Sequence, residues 1–153
     1  MLYEYKPGSQ RNAFTVLVIE DNPDHQSLIG MSLQKSFPEA KSVFMDSAQQ
    51  ALDHLNHFSG CSNDFPRLVL LDVYLPQPEL GWHLLSTLRA RYQRLPVIVF
   101  SAHYEPQAIR TAYDLGAHSF ISKPGTGQEW ATYFDSLANY WLRTVTLPPA
   151  HSL

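Results

Sequence analysis

Five side chains able to do polar chemistry stand at the ends of apolar runs. Glu20 and Asp21 follow FTVLVI (14–19), Asp72 closes RLVLLD (67–72), Ser101 follows PVIVF (96–100), and Lys123 follows SFIS (119–122). A carboxylate at the end of such a run is costly to bury unless a cation pairs with it or coordinates it. Three of them in one crevice repel one another, which raises their pKa values or demands a cation. A hard divalent ion answers that demand. Mg²⁺ takes one or two carboxylates and keeps its other positions for water and phosphate oxygens. Lys123 adds a second positive charge, and Ser101 a hydroxyl able to bond to a phosphoryl oxygen. Flanked by a metal and a lysine, Asp72 is a candidate nucleophile toward phosphorus, forming an aspartyl phosphate by in-line transfer.

That chemistry requires the five ends to meet, and the pattern of elements supplies the reason. The runs 14–19, 41–45, 68–71, 96–100 and 119–122 read as strands, rich in β-branched and aromatic residues. Between them apolar residues recur at helical spacing: Leu28, Ile29 and Leu33; Ala48, Ala51, Leu52 and Leu55; Leu84, Leu85 and Leu88; Ala108, Ile109, Ala112 and Leu115. Gly116 can end the fourth helix as a left-handed cap, and a fifth helix is expected from Gln128 to Arg143. Strands alternating with helices predict an α/β, doubly wound parallel sheet covered on both faces. Ligand sites in such sheets lie at the carboxyl ends of the strands.

The 153 residues suit one domain, expected over 14–144, with a flexible N-terminal segment at 1–13 and a tail at 145–153. A net charge of -3 with scattered Lys and Arg argues against nucleic-acid and membrane-surface binding. Cys61 is the one cysteine, so no internal disulfide forms. No apolar stretch approaches the ~20 residues of a spanning helix, and the cytoplasm is the default location.

Taken together, VIEDNPD (18–24), Asp72 in LDVYLP followed by Gly81, Ser101-Ala102, and FISKP (120–124) resemble the receiver domain of bacterial two-component response regulators. The resemblance runs from about Phe14 to Arg143. It implies a flavodoxin-like sheet of strand order 2-1-3-4-5. It also implies that Asp72 is the phosphoacceptor, Asp21 a direct Mg²⁺ ligand, Glu20 a ligand directly or through water, and the backbone carbonyl of Tyr74 the remaining protein ligand. Ser101 and Phe120 resemble the family's switching pair, in which the hydroxyl moves to the phosphoryl group and the ring rotates inward behind it. Lys123 resembles the phosphate-binding lysine, and Pro124 the residue that follows it through a cis peptide. The expected partners are a histidine kinase or histidine phosphotransfer protein upstream and an unknown protein downstream, with no output domain attached in this chain.

Two residues depart from the pattern at the rim: Tyr74, two after the acceptor, and His103, two after Ser101. Such positions tune phosphate loss in this family, and Tyr74 is expected to shield the acyl phosphate and lengthen its life. His54, His57 and Cys61 have a spacing that evokes zinc but lack a fourth ligand. Gly125-Thr126-Gly127 is read as the turn into the last helix rather than a phosphate loop. That helix carries Trp130, Phe134, Leu137 and Trp141 on one face. Tyr133, Tyr140, Ala131, Ala138 and Leu142 lie outside that stripe, a surplus that implies a homodimer surface or cover by the tail.

Two other functions compete. A Mg²⁺-dependent phosphatase of the haloacid dehalogenase type would need an acid two residues after the nucleophile, where Tyr74 stands. A binding module that has lost phosphorylation would not need the three acids and Lys123.

Overall fold

The computed structural model describes residues 14–60 and 64–148. The lead-in 1–13, Cys61 and the end of the tail lie outside the described residues, and with them the expected flexible segment and one of the three zinc candidates.

Strands β1 (Phe14–Ile19), β2 (Ala40–Met45), β3 (Leu68–Leu71), β4 (Val97–Ser101) and β5 (Ser119–Ser122) form one parallel sheet in the order β2-β1-β3-β4-β5. The three inner strands are buried nearly throughout, which is why they read as continuous apolar runs rather than alternating ones. Alternate residues serve opposite cores. Leu17, Ile19, Val69, Leu71, Val97 and Val99 meet helices α2 (Ala48–Phe58), α3 (Pro78–Arg91) and α4 (Pro106–Asp114) through Ala51, Leu55, Leu84, Leu88 and Ala112. Val16, Val18, Leu68, Leu70, Ile98 and Phe100 meet α1 (Pro23–Ser36) and α5 (Gly127–Leu137) through Ile29, Leu33, Trp130 and Phe134.

Local signals set where helices start. Asn22 caps α1, its side-chain oxygen accepting from the backbone N–H groups of Asp24 and His25. Ser47 and Thr126 cap α2 and α5 in the same way. Gly116 has φ +97°, as its expected left-handed role requires.

The structure departs from expectation in the last helix. The α-helix stops at Leu137 and continues as a π-helix over Ala138–Thr144, with Val145 N–H donating to Tyr140 carbonyl oxygen five residues back. The wider turn changes the phase of the apolar residues. Consecutive Trp141 and Leu142 both pack on the α1/α5 core, while Tyr133 and Tyr140 remain exposed. Arg143 donates to the Ser36 carbonyl oxygen at 2.6 Å and lies over Phe37, tying this segment to the end of α1. Leu147 is buried, its carbonyl oxygen accepting from Arg67.

A second correction concerns Pro124. Among the described residues no peptide bond is cis, that between Lys123 and Pro124 included. The trans form is the preferred one even before proline.

Candidate active site at the carboxyl ends of the strands

The ladder of backbone hydrogen bonds extends beyond the strands and carries the chemical groups with it. Glu20 N–H donates to Met45 carbonyl oxygen at 2.9 Å, Asp72 N–H to Ile19 at 2.9 Å, and Lys123 N–H to Ser101 at 2.8 Å. Each acidic or basic residue is thereby pinned one step past its strand to a neighbouring one. All five strand-end residues named from the sequence are placed at one edge of the sheet, and Ser101 is itself the last residue of β4.

One oxygen each of Glu20, Asp21 and Asp72 lies within 4.8 Å of the others. Lys123 reaches into this group from β5, its Nζ 2.5 Å from Glu20 Oε2 and 2.7 Å from Asp72 Oδ2. Glu20 and Asp72 are buried, as are Lys123 and Ser101, and Asp21 is open to solvent. Two buried carboxyl groups therefore face one buried ammonium, with the third carboxyl group beside them at the solvent side. Burial pushes the Glu20 carboxyl up to about 7, against the opposing pull of Lys123. A carboxyl so raised, in an all-oxygen donor set with one open side, fits a hard divalent cation, which would offset the repulsion that burial magnifies.

The remaining oxygen of Asp72, Oδ1, accepts from Tyr74 N–H at 3.0 Å. Both carboxylate oxygens of the candidate nucleophile are thus oriented, one by backbone and one by Lys123. The turn that holds them depends on Gly81. A Cβ built there would overlap the carbonyl carbon, oxygen and Cα of Val73, so only glycine lets α3 approach the loop after β3. Ser101 Oγ accepts from His103 N–H at 3.1 Å. Phe120 is partly buried against the α2/α3/α4 core, and its N–H donates to the Tyr113 hydroxyl at 3.1 Å, a link from β5 to α4.

The two rim residues form a pair. The rings of Tyr74 and His103 stack with centroids 3.6 Å apart and planes 21° from parallel. Their contact joins the β3 and β4 loops, a juxtaposition that neither position discloses in sequence.

Sequence reasoning missed His25. Its Nδ1 lies 2.9 Å from Lys123 Nζ and 3.9 Å from Glu20 Oε1. The available signal was its place in the first turn of α1, since helical side chains tilt toward the N-terminus and here toward the acidic pair. His54 and His57 instead lie against the Phe58 ring, and among the described residues the sole cluster suited to a metal is Glu20, Asp21 and Asp72.

Comparison with known proteins gives the same picture. The family model described as response regulator receiver domain matches residues 16–134. A probable methanogenesis regulatory protein, FilR2 of Methanothrix harundinacea, is 28% identical over 131 residues, covering 84% of each chain. The phosphorylated cyanobacterial phytochrome response regulator RcpA superposes with a TM-score of 0.79 at 26% identity, over 88% of this chain and 98% of that one. The Mn²⁺-bound form of response regulator Rcp1 of Synechocystis sp. has a TM-score of 0.77 at 23% identity, over 88% and 99%, a likeness of fold.

Proposed function

The chain belongs to the response regulator receiver domain family, and on that premise we propose that it is a phosphoacceptor switch charged on Asp72. The observation that carries this is the contact of Lys123 with both Glu20 and Asp72 inside a cluster of three carboxyl groups. Glu20, Asp21, Asp72 and the Tyr74 carbonyl would hold Mg²⁺. The bound ion supplies neutralising charge to the phosphoryl oxygens.

In the transfer, a carboxylate oxygen of Asp72 forms a bond to phosphorus as the bond from phosphorus to the donor group breaks, and the donor leaves with the electron pair. Lys123 donates to the incoming phosphoryl oxygens, and Tyr74 N–H steadies the other carboxylate oxygen. The Ser101 hydroxyl then turns from the β4 loop to the phosphoryl group and Phe120 moves inward. The Phe120 backbone N–H is bonded to the Tyr113 hydroxyl, so a shift of β5 that accompanies the ring reaches α4 and alters the surface offered to a protein partner. A histidine kinase or histidine phosphotransfer protein is the upstream donor, and slow hydrolysis of the acyl phosphate resets the chain. Tyr133 and Tyr140, exposed on the last helix, offer a homodimer surface that sedimentation of Tyr133→Ser and Tyr140→Ser variants would test.

Incubation with acetyl phosphate and Mg²⁺ should add the mass of one phosphoryl group to the intact chain and none to Asp72→Asn. No adduct on the wild-type chain would favour a binding module, and multiple turnover of phosphate esters a phosphatase.

A further inference from the structure

The ammonium of Lys123 has three hydrogens and accepts nothing. The structure gives it three partners: Glu20 Oε2 at 2.5 Å, Asp72 Oδ2 at 2.7 Å and His25 Nδ1 at 2.9 Å. No hydrogen is left over for a phosphoryl oxygen. Transfer onto Asp72 therefore requires one of the three bonds to be exchanged.

His25 is the partner suited to yield. An ammonium 2.9 Å from Nδ1 requires a lone pair there, so the ring is neutral with its proton on Nε2. A neutral imidazole binds an ammonium less strongly than the Asp72 carboxylate does, and Glu20 Oε2 keeps a shorter contact, 2.5 Å, from a buried position. His25 also differs in position, being partly exposed where Glu20 and Lys123 are buried.

The imidazole is held in place from two sides. Asn22 accepts from the His25 backbone N–H and fixes the first turn of α1, and the ring packs on Trp130 of α5 with centroids 5.6 Å apart. Without this third acceptor the flexible lysine would settle between the two buried carboxyl groups, away from the partly exposed side on which His25 lies. We propose that His25 is a positioning residue that keeps one hydrogen of Lys123 aimed at the mouth of the site and surrenders it to the phosphoryl oxygen. The role rests on the phosphoacceptor reading above.

Two measurements on the full chain test it. In ¹⁵N imidazole spectra without any phosphodonor, His25 should show an unprotonated, hydrogen-bonded Nδ1 whose shift moves in Lys123→Met. With acetyl phosphate and Mg²⁺, His25→Leu should be phosphorylated about tenfold more slowly, the change that a cost of about 1.4 kcal/mol for re-aiming the ammonium toward the phosphoryl oxygen produces. His25→Asn, whose Oδ1 can replace Nδ1, should recover most of that rate, with thermal unfolding confirming that both variants fold. A proton on Nδ1, a shift indifferent to Lys123→Met, or an Asn variant as slow as the Leu variant overturns the proposal. Wild-type phosphorylation with an unaffected Leu variant ends this role alone. A wild-type chain that takes up no phosphoryl group ends the phosphoacceptor reading and this role with it.

Discussion

At the residue scale, the site is governed by how few positive charges share how many carboxyl groups. Glu20 illustrates the consequence. Burial raises its pKa to about 7 in the folded chain, whereas unfolding returns it to about 4.5. The folded state then holds a proton that the unfolded state releases between these values. The stability contributed by Glu20 is full below pH 4.5 and is lost as pH rises toward 7. Urea unfolding of the metal-free chain at a series of pH values should show this slope, and Glu20→Gln should flatten it. The rim pair acts on a different quantity. Tyr74 and His103 stack on each other across the loops after β3 and β4, and the expectation to test is that this pair shields Asp72 from water. Tyr74→Ala should shorten the life of the acyl phosphate by ~2–10-fold, the span that 0.5–1.5 kcal/mol of aromatic pairing allows. A lifetime unchanged by the substitution would remove Tyr74 from this role.

At the element scale, the precision of the site comes from strand ends whose hydrogen-bond ladders run one residue past the sheet. It comes also from α3 pressed close to the loop after β3. Gly81 permits that approach, so Gly81→Ala must push Val73 and with it the turn holding Asp72. We expect a loss of about 1–3 kcal/mol in urea unfolding, the range for overpacking a tight contact, together with weaker phosphorylation. The glycine was visible in the sequence as part of a motif, but the atom it must avoid was not, because that contact joins two elements. The π-helical end of the last helix was likewise illegible. Periodicity predicts a helix as far as Arg143, but the switch in hydrogen-bond register answers to packing of Trp141 and Leu142 on a surface made by α1 and the sheet.

At the scale of the whole molecule, the fold concentrates uncompensated negative charge at one edge of the sheet, and binding a cation there should stabilise the folded state alone. At a hundredfold excess of Mg²⁺ over its dissociation constant the gain is about 2.7 kcal/mol. Thermal unfolding should rise on adding Mg²⁺, fall back with a chelator, and respond less in Asp21→Asn. The sequence by itself determined the order of strands and helices along the chain, the two-sided cover of the sheet, the left-handed glycine that ends α4, and the identity of the groups at the strand ends. These follow from local periodicity and local hydrogen bonding, which neighbouring residues carry. The tertiary structure alone decided what those groups touch: that Lys123 divides its three hydrogens among Glu20, Asp72 and His25, and that Tyr74 stacks on His103. Such pairings depend on how far each strand end stands from the next and on which way each loop turns. They are set by packing between segments far apart in the chain, not by any spacing within one.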